Sequence, residues 1–163
     1  MAGFDGDSVT FEAAVAEHGS ALYGLALAIT GNVAEAEDAY QTALEQAWRG
    51  WASLRDRNSA PAWLATICAR SARRSRRIRR RLAARQVSAD RGDPLGEVML
   101  WDPGLGSALM TLTARQRAVV ALHYGQGYTL DEVGRLLGCR GGTVRSHLNR
   151  ALEHLRKGLS DET

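Results

Sequence analysis

The 163-residue chain has one lysine, Lys157, two cysteines and three prolines. Cys68 and Cys139 lie far apart with no Cys-x-x-Cys or Cys/His cluster. Neither a disulfide framework nor a zinc site is indicated, so both read as small buried apolar residues. No apolar run approaches the roughly 20 residues a membrane helix needs, and Met1-Ala2-Gly3-Phe4-Asp5 lacks the basic-then-apolar start of an export signal. A soluble, cytoplasmic protein with no membrane association is expected. Period-two alternation of apolar residues is absent throughout, so strands are not expected, and neither are internal repeats. His18, His123 and His154 are scattered, without the Ser, Cys or carboxylate spacing of a triad or metal centre. No catalytic residue, metal or cofactor is expected.

What is present is charge, unevenly distributed. The formal net charge of +3 conceals a −6 segment at residues 1–69 and a +9 segment at 70–85, the latter nine arginines without one acid. Residues 86–110 are −3 and residues 111–163 are +3. Segregation of this kind points to a polyanionic partner.

Phe11, Val15, Leu22, Leu25 and Ile29 recur at helical steps and stop at Thr30-Gly31, a helix-end signal. Asn32 and Glu35 have capping-box spacing for a second helix, in which Tyr40, Leu44, Ala47, Trp48 and Trp51 keep the period to about residue 51. Its other face carries Glu35, Asp38, Gln41, Thr42 and Glu45. Trp48, Trp51 and Trp63, at helical spacing, are expected in the core. A loop at 54–60 precedes Pro61, which suits the first turn of a third helix through Trp63, Leu64, Ile67 and Cys68. That helix runs into the arginine stripe. Residues 86–106, with Gly92, Pro94, Gly96, Pro103 and Gly104 among acids, read as a flexible acidic linker. Thr113 with Gln116, and Thr129 with Glu132, then open two helices, and a last one spans about Gly142 to Lys157. The expected fold is all-α, two small helical domains joined by the linker.

Val133, Gly134, Leu137, Gly138, Cys139 and Val144 have the spacing of a helix-turn-helix. Gly134 allows the two helices a close approach, Gly138 allows a positive φ in the turn, and Val133, Leu137 and Val144 pack the crossing. The second helix then projects Arg140, Thr143, Arg145, Ser146, His147, Asn149 and Arg150, residue types that pair with guanine edges, adenine and phosphates. Arg70, Arg73, Arg74 and Arg77 share one side of the third helix with no nearby acid in the sequence, so their repulsion calls for an outside anion such as phosphate.

These motifs resemble, over nearly the whole chain, the group 4 (extracytoplasmic-function, ECF) sigma factors of the sigma-70 family, the promoter-recognition subunits of bacterial RNA polymerase. The resemblance lies in Ala36-Glu-Asp-Ala-Tyr-Gln-Thr-Ala-Leu-Glu-Gln-Ala-Trp48 and Ala62-Trp63-Leu64 for region 2. For region 4 it lies in Leu112-Thr-Ala-Arg-Gln-Arg117, Tyr128-Thr-Leu-Asp-Glu-Val133, Leu137-Gly138 and Gly142-Thr-Val-Arg-Ser-His-Leu-Asn-Arg150. It implies a region 2-like domain at 8–85 that binds core polymerase and recognises and melts the minus-10 element, a linker at 86–106, and a region 4-like domain at 107–160 that reads the minus-35 element. Glu35, Asp38, Gln41, Thr42 and Glu45 would meet core polymerase. Arg55, Arg57 and Asn58 would sit near a flipped base in the 54–59 loop, with Arg70, Arg73, Arg74 and Arg77 on upstream duplex. Asp90, Asp93, Glu97 and Asp102 would give the linker its nucleic-acid-like charge, and Trp101 is a candidate docking aromatic. Partners implied are core RNA polymerase, promoter DNA and, by family habit, an anti-sigma factor. The chain departs from the family where Arg70 and Arg74 replace a frequent Asn and Asp, where Thr42 replaces a common acid, and where His147 replaces a frequent Arg. The alternatives are a stand-alone helix-turn-helix regulator binding operators without polymerase, and an RNA-binding adaptor using the stripe.

Overall fold

The computed structural model describes residues 10–84 and 103–160, and every described element is helical. Helix α1, Phe11–Thr30, starts where the Thr10 hydroxyl accepts the Ala13 N–H at 3.2 Å. It ends at Gly31, whose φ of 70° closes the helix with its N–H on the Leu27 carbonyl. Helix α2, Val33–Gly50, buries an almost pure alanine face of Ala36, Ala39, Ala43 and Ala47. Side chains that small let it lie close against α1 and α3. Two short 3-10 turns, Trp51–Ser53 and Arg57–Ser59, lead to α3, Ala60–Ala83, with Pro61 in its first turn.

Helix α3 is divided lengthwise by its sequence. Leu64, Ala65, Cys68, Ala69 and Ala72 are buried, and from Arg73 onward arginine dominates. Two side-chain bonds fix its position: the Ser71 hydroxyl donates to the Ala39 carbonyl at 2.8 Å, and the Cys68 thiol to the Leu22 carbonyl at 3.1 Å. Burial pushes the Cys68 thiol up to about 12, so it stays protonated and packs as a small apolar group.

The second half comprises α4, Pro103–Met110, α5, Ala114–Val120, a π-helical segment over Ala121–Gly125, α6, Leu130–Leu137, and α7, Gly141–Ser160. Both threonine capping boxes form in full, with Gln116 and Glu132 each returning to the threonine N–H at 2.8 Å. The two bundles do not stand apart. Helices α1 and α3 pack against α5 and α6, and buried residues from both halves form one cluster. Arg117 is central to that contact. It is 6% exposed and donates from Nε to the Ala28 carbonyl near the end of α1, and from Nη1 to Leu112, both at 2.6 Å. Arg73 Nη1 donates to the Leu137 carbonyl at 3.0 Å and Gln126 Nε2 to Ala21 at 3.1 Å.

Four expectations change. Asn32 caps Glu35 N–H at 2.9 Å, but the Glu35 carboxylate does not return; it pairs instead with Arg79 at 2.7 Å. The arginine stripe therefore has an acid partner, brought by α2 rather than by its own sequence neighbourhood. Trp48 is 59% exposed, edge-on to Phe11 at 5.3 Å, because the alanine face turns it outward, while Trp51 and Trp63 are half-buried. Helix α4 begins at Pro103, so 103–106 of the expected linker are helical. Asp90, Asp93, Glu97, Asp102, Trp101 and Arg85 lie outside the described residues.

Candidate nucleic-acid interface

The helix-turn-helix is built as its residue types require. A Cβ on Gly134 would stand 2.8 Å from the Cys139 carbonyl oxygen, so only glycine lets α6 approach the turn. Gly138 has φ 66°, and the Cys139 N–H reaches back to the Gly134 carbonyl at 2.8 Å. Val133 and Val144 are fully buried and Leu137 almost so, locking the crossing of α6 on α7. With the inner face so committed, α7 and the turn before it present Arg140, Thr143, Arg145, Ser146, Asn149 and Arg150 to solvent, and His147 half-buried. All seven residues singled out from sequence thus lie on one continuous segment at the start of the second helix.

Burial, then Arg115 and Arg150, hold the His147 imidazole below its ordinary pKa. Near neutral pH it is an uncharged ring offering one donor and one acceptor, suited to a base edge rather than to a phosphate. Arg145 and Arg150 supply the charge on either side.

The region 2-like residues fall into separate groups. Arg55, between the 3-10 turns, and Asn58, within the second, are exposed. Arg57 folds back, its guanidinium 4.5 Å from the centroid of the Trp51 ring and bonded to the Trp51 carbonyl. The carboxylate of Asp56 accepts the Asn58 N–H at 3.0 Å and shapes this corner. On α3, Arg70, Arg73, Arg74 and Arg77 are exposed, but they do not act as one face. Arg73 is tied to Leu137 in the other half, and Arg73 and Arg77 line a cavity between the halves. On α2, Asp38, Gln41, Thr42 and Glu45 form an open polar strip, whereas Glu35 is withdrawn by its pairing with Arg79. Arg117, which crosses to Ala28, and Arg115, which reaches Leu137 within its own half, both escaped the sequence reading. The Gln116 capping box placed them at the start of α5, but nothing local shows what they reach.

No group of three or more His, Cys, Asp or Glu side chains with metal-binding geometry occurs among the described residues. No helix among them is long and apolar enough to cross a membrane.

Residues 14–82 match the family model for sigma-70 region 2, and residues 108–157 that for sigma-70 region 4. The chain is 32% identical over 157 residues to the ECF RNA polymerase sigma factor SigL of Mycobacterium tuberculosis, covering 89% of this chain and 86% of the relative. It is 29% identical over 156 residues to the RNA polymerase sigma-E factor of Streptomyces coelicolor, covering 94% of this chain and 88% of that one. Among solved structures it resembles the sigma factor RpoE of Bartonella quintana in complex with the anti-sigma factor NepR. That match has a TM-score of 0.76 and 26% identity, over 92% of this chain and 96% of the other. The two matched regions fall on the two helical halves, in the same order, and the chain belongs to the extracytoplasmic-function RNA polymerase sigma factors of the sigma-70 family.

Proposed function

We propose that this chain binds core RNA polymerase, directs it to promoters carrying its minus-10 and minus-35 elements, and assists their opening without catalysing a reaction itself. The observation that carries this reading is the pairing, in one chain, of a fully formed helix-turn-helix with exposed Arg145, Asn149 and Arg150 and a region 2 half whose α2 presents an unburied polar strip. The strip of Asp38, Gln41, Thr42 and Glu45 is the proposed polymerase contact. Arg55 and Asn58, at the corner before α3, are the proposed contacts to the opened strand, and Arg70 and Arg74 those to upstream phosphates. The acidic residues Asp90, Asp93, Glu97 and Asp102 are proposed to mimic nucleic acid along the polymerase cleft. By analogy with the relative bound to NepR, an anti-sigma factor is a further proposed partner.

Reading both elements requires the halves to separate. Elements roughly 25 base pairs apart span about 85 Å of duplex, whereas the longest packed helices are only about 35 Å. The closed arrangement, with Arg117 on Ala28 and Arg73 on Leu137, is therefore a form that engages one element at most.

Run-off transcription on a genomic promoter library with purified core polymerase tests the reading. Specific initiation that depends on the added chain is expected, and Asp38→Lys/Glu45→Lys should lower affinity for core without unfolding the protein. A footprint on operators in the absence of polymerase, with no specific initiation in its presence, would instead make the chain a stand-alone regulator.

A further inference from the structure

Where the two halves meet, α3 and α5 flank an open cavity of about 200 Å³. Its wall is Arg73, Arg76, Arg77 and Arg80 from α3 and Arg115 from α5, over apolar residues that include Ile29 and Leu137. Two of the five arginines donate to the same acceptor, the Leu137 carbonyl, reached by Arg73 at 3.0 Å and Arg115 at 3.3 Å. The nearby carboxylate, Glu35, is already held by Arg79. No ion pair among the described residues involves Arg73, Arg76, Arg77, Arg80 or Arg115. The crowding has an electrostatic signature: the Arg76 guanidinium is pushed below its ordinary value by burial and then by Arg80, against a smaller opposing pull from Glu35. No carboxylate among the described residues lines this cavity, and five cationic forks gathered around one space favour an entering anion.

We propose that the arginine-lined cavity between α3 and α5 is a binding site for an oligophosphate chain of two or three phosphates, inorganic or carried by a nucleotide. Charge selects the ligand. One phosphate brings about −2, far short of five guanidinium groups, and a chain of two or three is the smallest phosphate anion that approaches balance. Each phosphate offers several acceptor oxygens in a small volume, matching the planar forks of arginine, whereas a peptide carries a single carboxylate per acidic residue on a bulky backbone. The ribose and base of a nucleotide would remain outside. Because α3 and α5 belong to different halves, a bound anion also holds those halves together.

Isothermal titration of the full chain tests this at one fixed ionic strength, with sodium tripolyphosphate, pyrophosphate, orthophosphate, ATP and a hexaglutamate peptide. Saturable one-to-one binding is expected, at least tenfold tighter for tripolyphosphate than for orthophosphate. ATP equal to tripolyphosphate assigns recognition to the phosphate chain alone; ATP tighter assigns the site to nucleotides. Arg76→Gln/Arg80→Gln should weaken tripolyphosphate at least tenfold, with Arg81→Gln, on the same helix outside the cavity, unchanged. Arg76 is half-buried, so circular dichroism checks the double variant, and exposed Arg80→Gln alone carries the comparison if it unfolds, with a loss of threefold or more. Absence of saturable binding, equal loss in Arg81→Gln, or tighter binding of hexaglutamate overturns the site. The titration contains no polymerase, so its failure leaves the sigma-factor reading intact, and a failed run-off assay leaves the cavity intact.

Discussion

Arg117→Met removes the principal polar tie between the two halves while keeping an unbranched, shorter apolar side chain. In the native chain this guanidinium makes two bonds of 2.6 Å, one within its own half to Leu112 and one across to Ala28. A hydrogen bond from a charged donor contributes about 1.5–3 kcal/mol, so the bond to Ala28 sets the upper range for closure. Against it stands the cost of burying the charge. Burial, and after it Arg76, push the Arg117 guanidinium below its ordinary value, which shows the folded site opposing the ionised form. A net loss of about 1–2 kcal/mol in favour of closure follows, a 5–30-fold shift towards separated halves. Loss of the Leu112 bond falls on the turn between α4 and α5 and lowers the melting temperature of the second half without opening the molecule. Small-angle scattering reads the difference directly, since a compact chain of 163 residues has a radius of gyration of about 15 Å and separated halves exceed it. Hydrogen exchange at the α1 end supplies a second measure. A variant as compact as the parent, with unchanged exchange there, would refute the assignment of Arg117 as the tie.

Three further outcomes are expected. Gly134→Val places a side chain on a Cβ that already stands 2.8 Å from the Cys139 carbonyl, and should destabilise the helix-turn-helix by about 1–3 kcal/mol in thermal melts and abolish minus-35 binding. His147 has a depressed folded pKa, so its contribution to stability is present above the unfolded value near 6.5 and is lost as pH falls through the lower folded value. A neutral His147 on a base edge loses its acceptor nitrogen on protonation, so minus-35 affinity should fall as pH drops through the depressed folded value, and His147→Gln should flatten that profile in anisotropy titrations. Cys68, buried with its thiol pushed up to about 12, should resist a thiol reagent until the protein unfolds, whereas half-buried Cys139 should react in the native state; mass-resolved labelling distinguishes them.

Local physics made much of this legible beforehand. Thr113 with Gln116, Thr129 with Glu132, Gly31 and Gly138 are caps whose chemistry acts within four residues, so spacing alone located the helix ends they make. The helix-turn-helix was equally readable, because its small, turn and core positions lie within twelve consecutive residues, 133–144. Glu35 shows where such reasoning stops. Its capping-box spacing is correct, yet a stronger partner, Arg79, arrives from another helix and takes the carboxylate. Trp48 fails for a similar reason: helical period places it near the apolar face, but the alanines of α2 form the closer-packing surface and turn the indole outward.

By itself the sequence determined that the chain is helical, where most of its helices end, which segment forms the helix-turn-helix and how its charge is segregated. All of these depend on neighbours within a turn or two of the backbone. Only the tertiary structure decided that the halves close on each other, that Arg117 reaches Ala28 and that Arg73 shares the Leu137 carbonyl with Arg115. Nothing in local periodicity encodes a contact between residues 64 or 89 positions apart. Such a contact accompanies the burial of apolar residues from both halves in one cluster, which brings the arginines of α3 and α5 around one cavity.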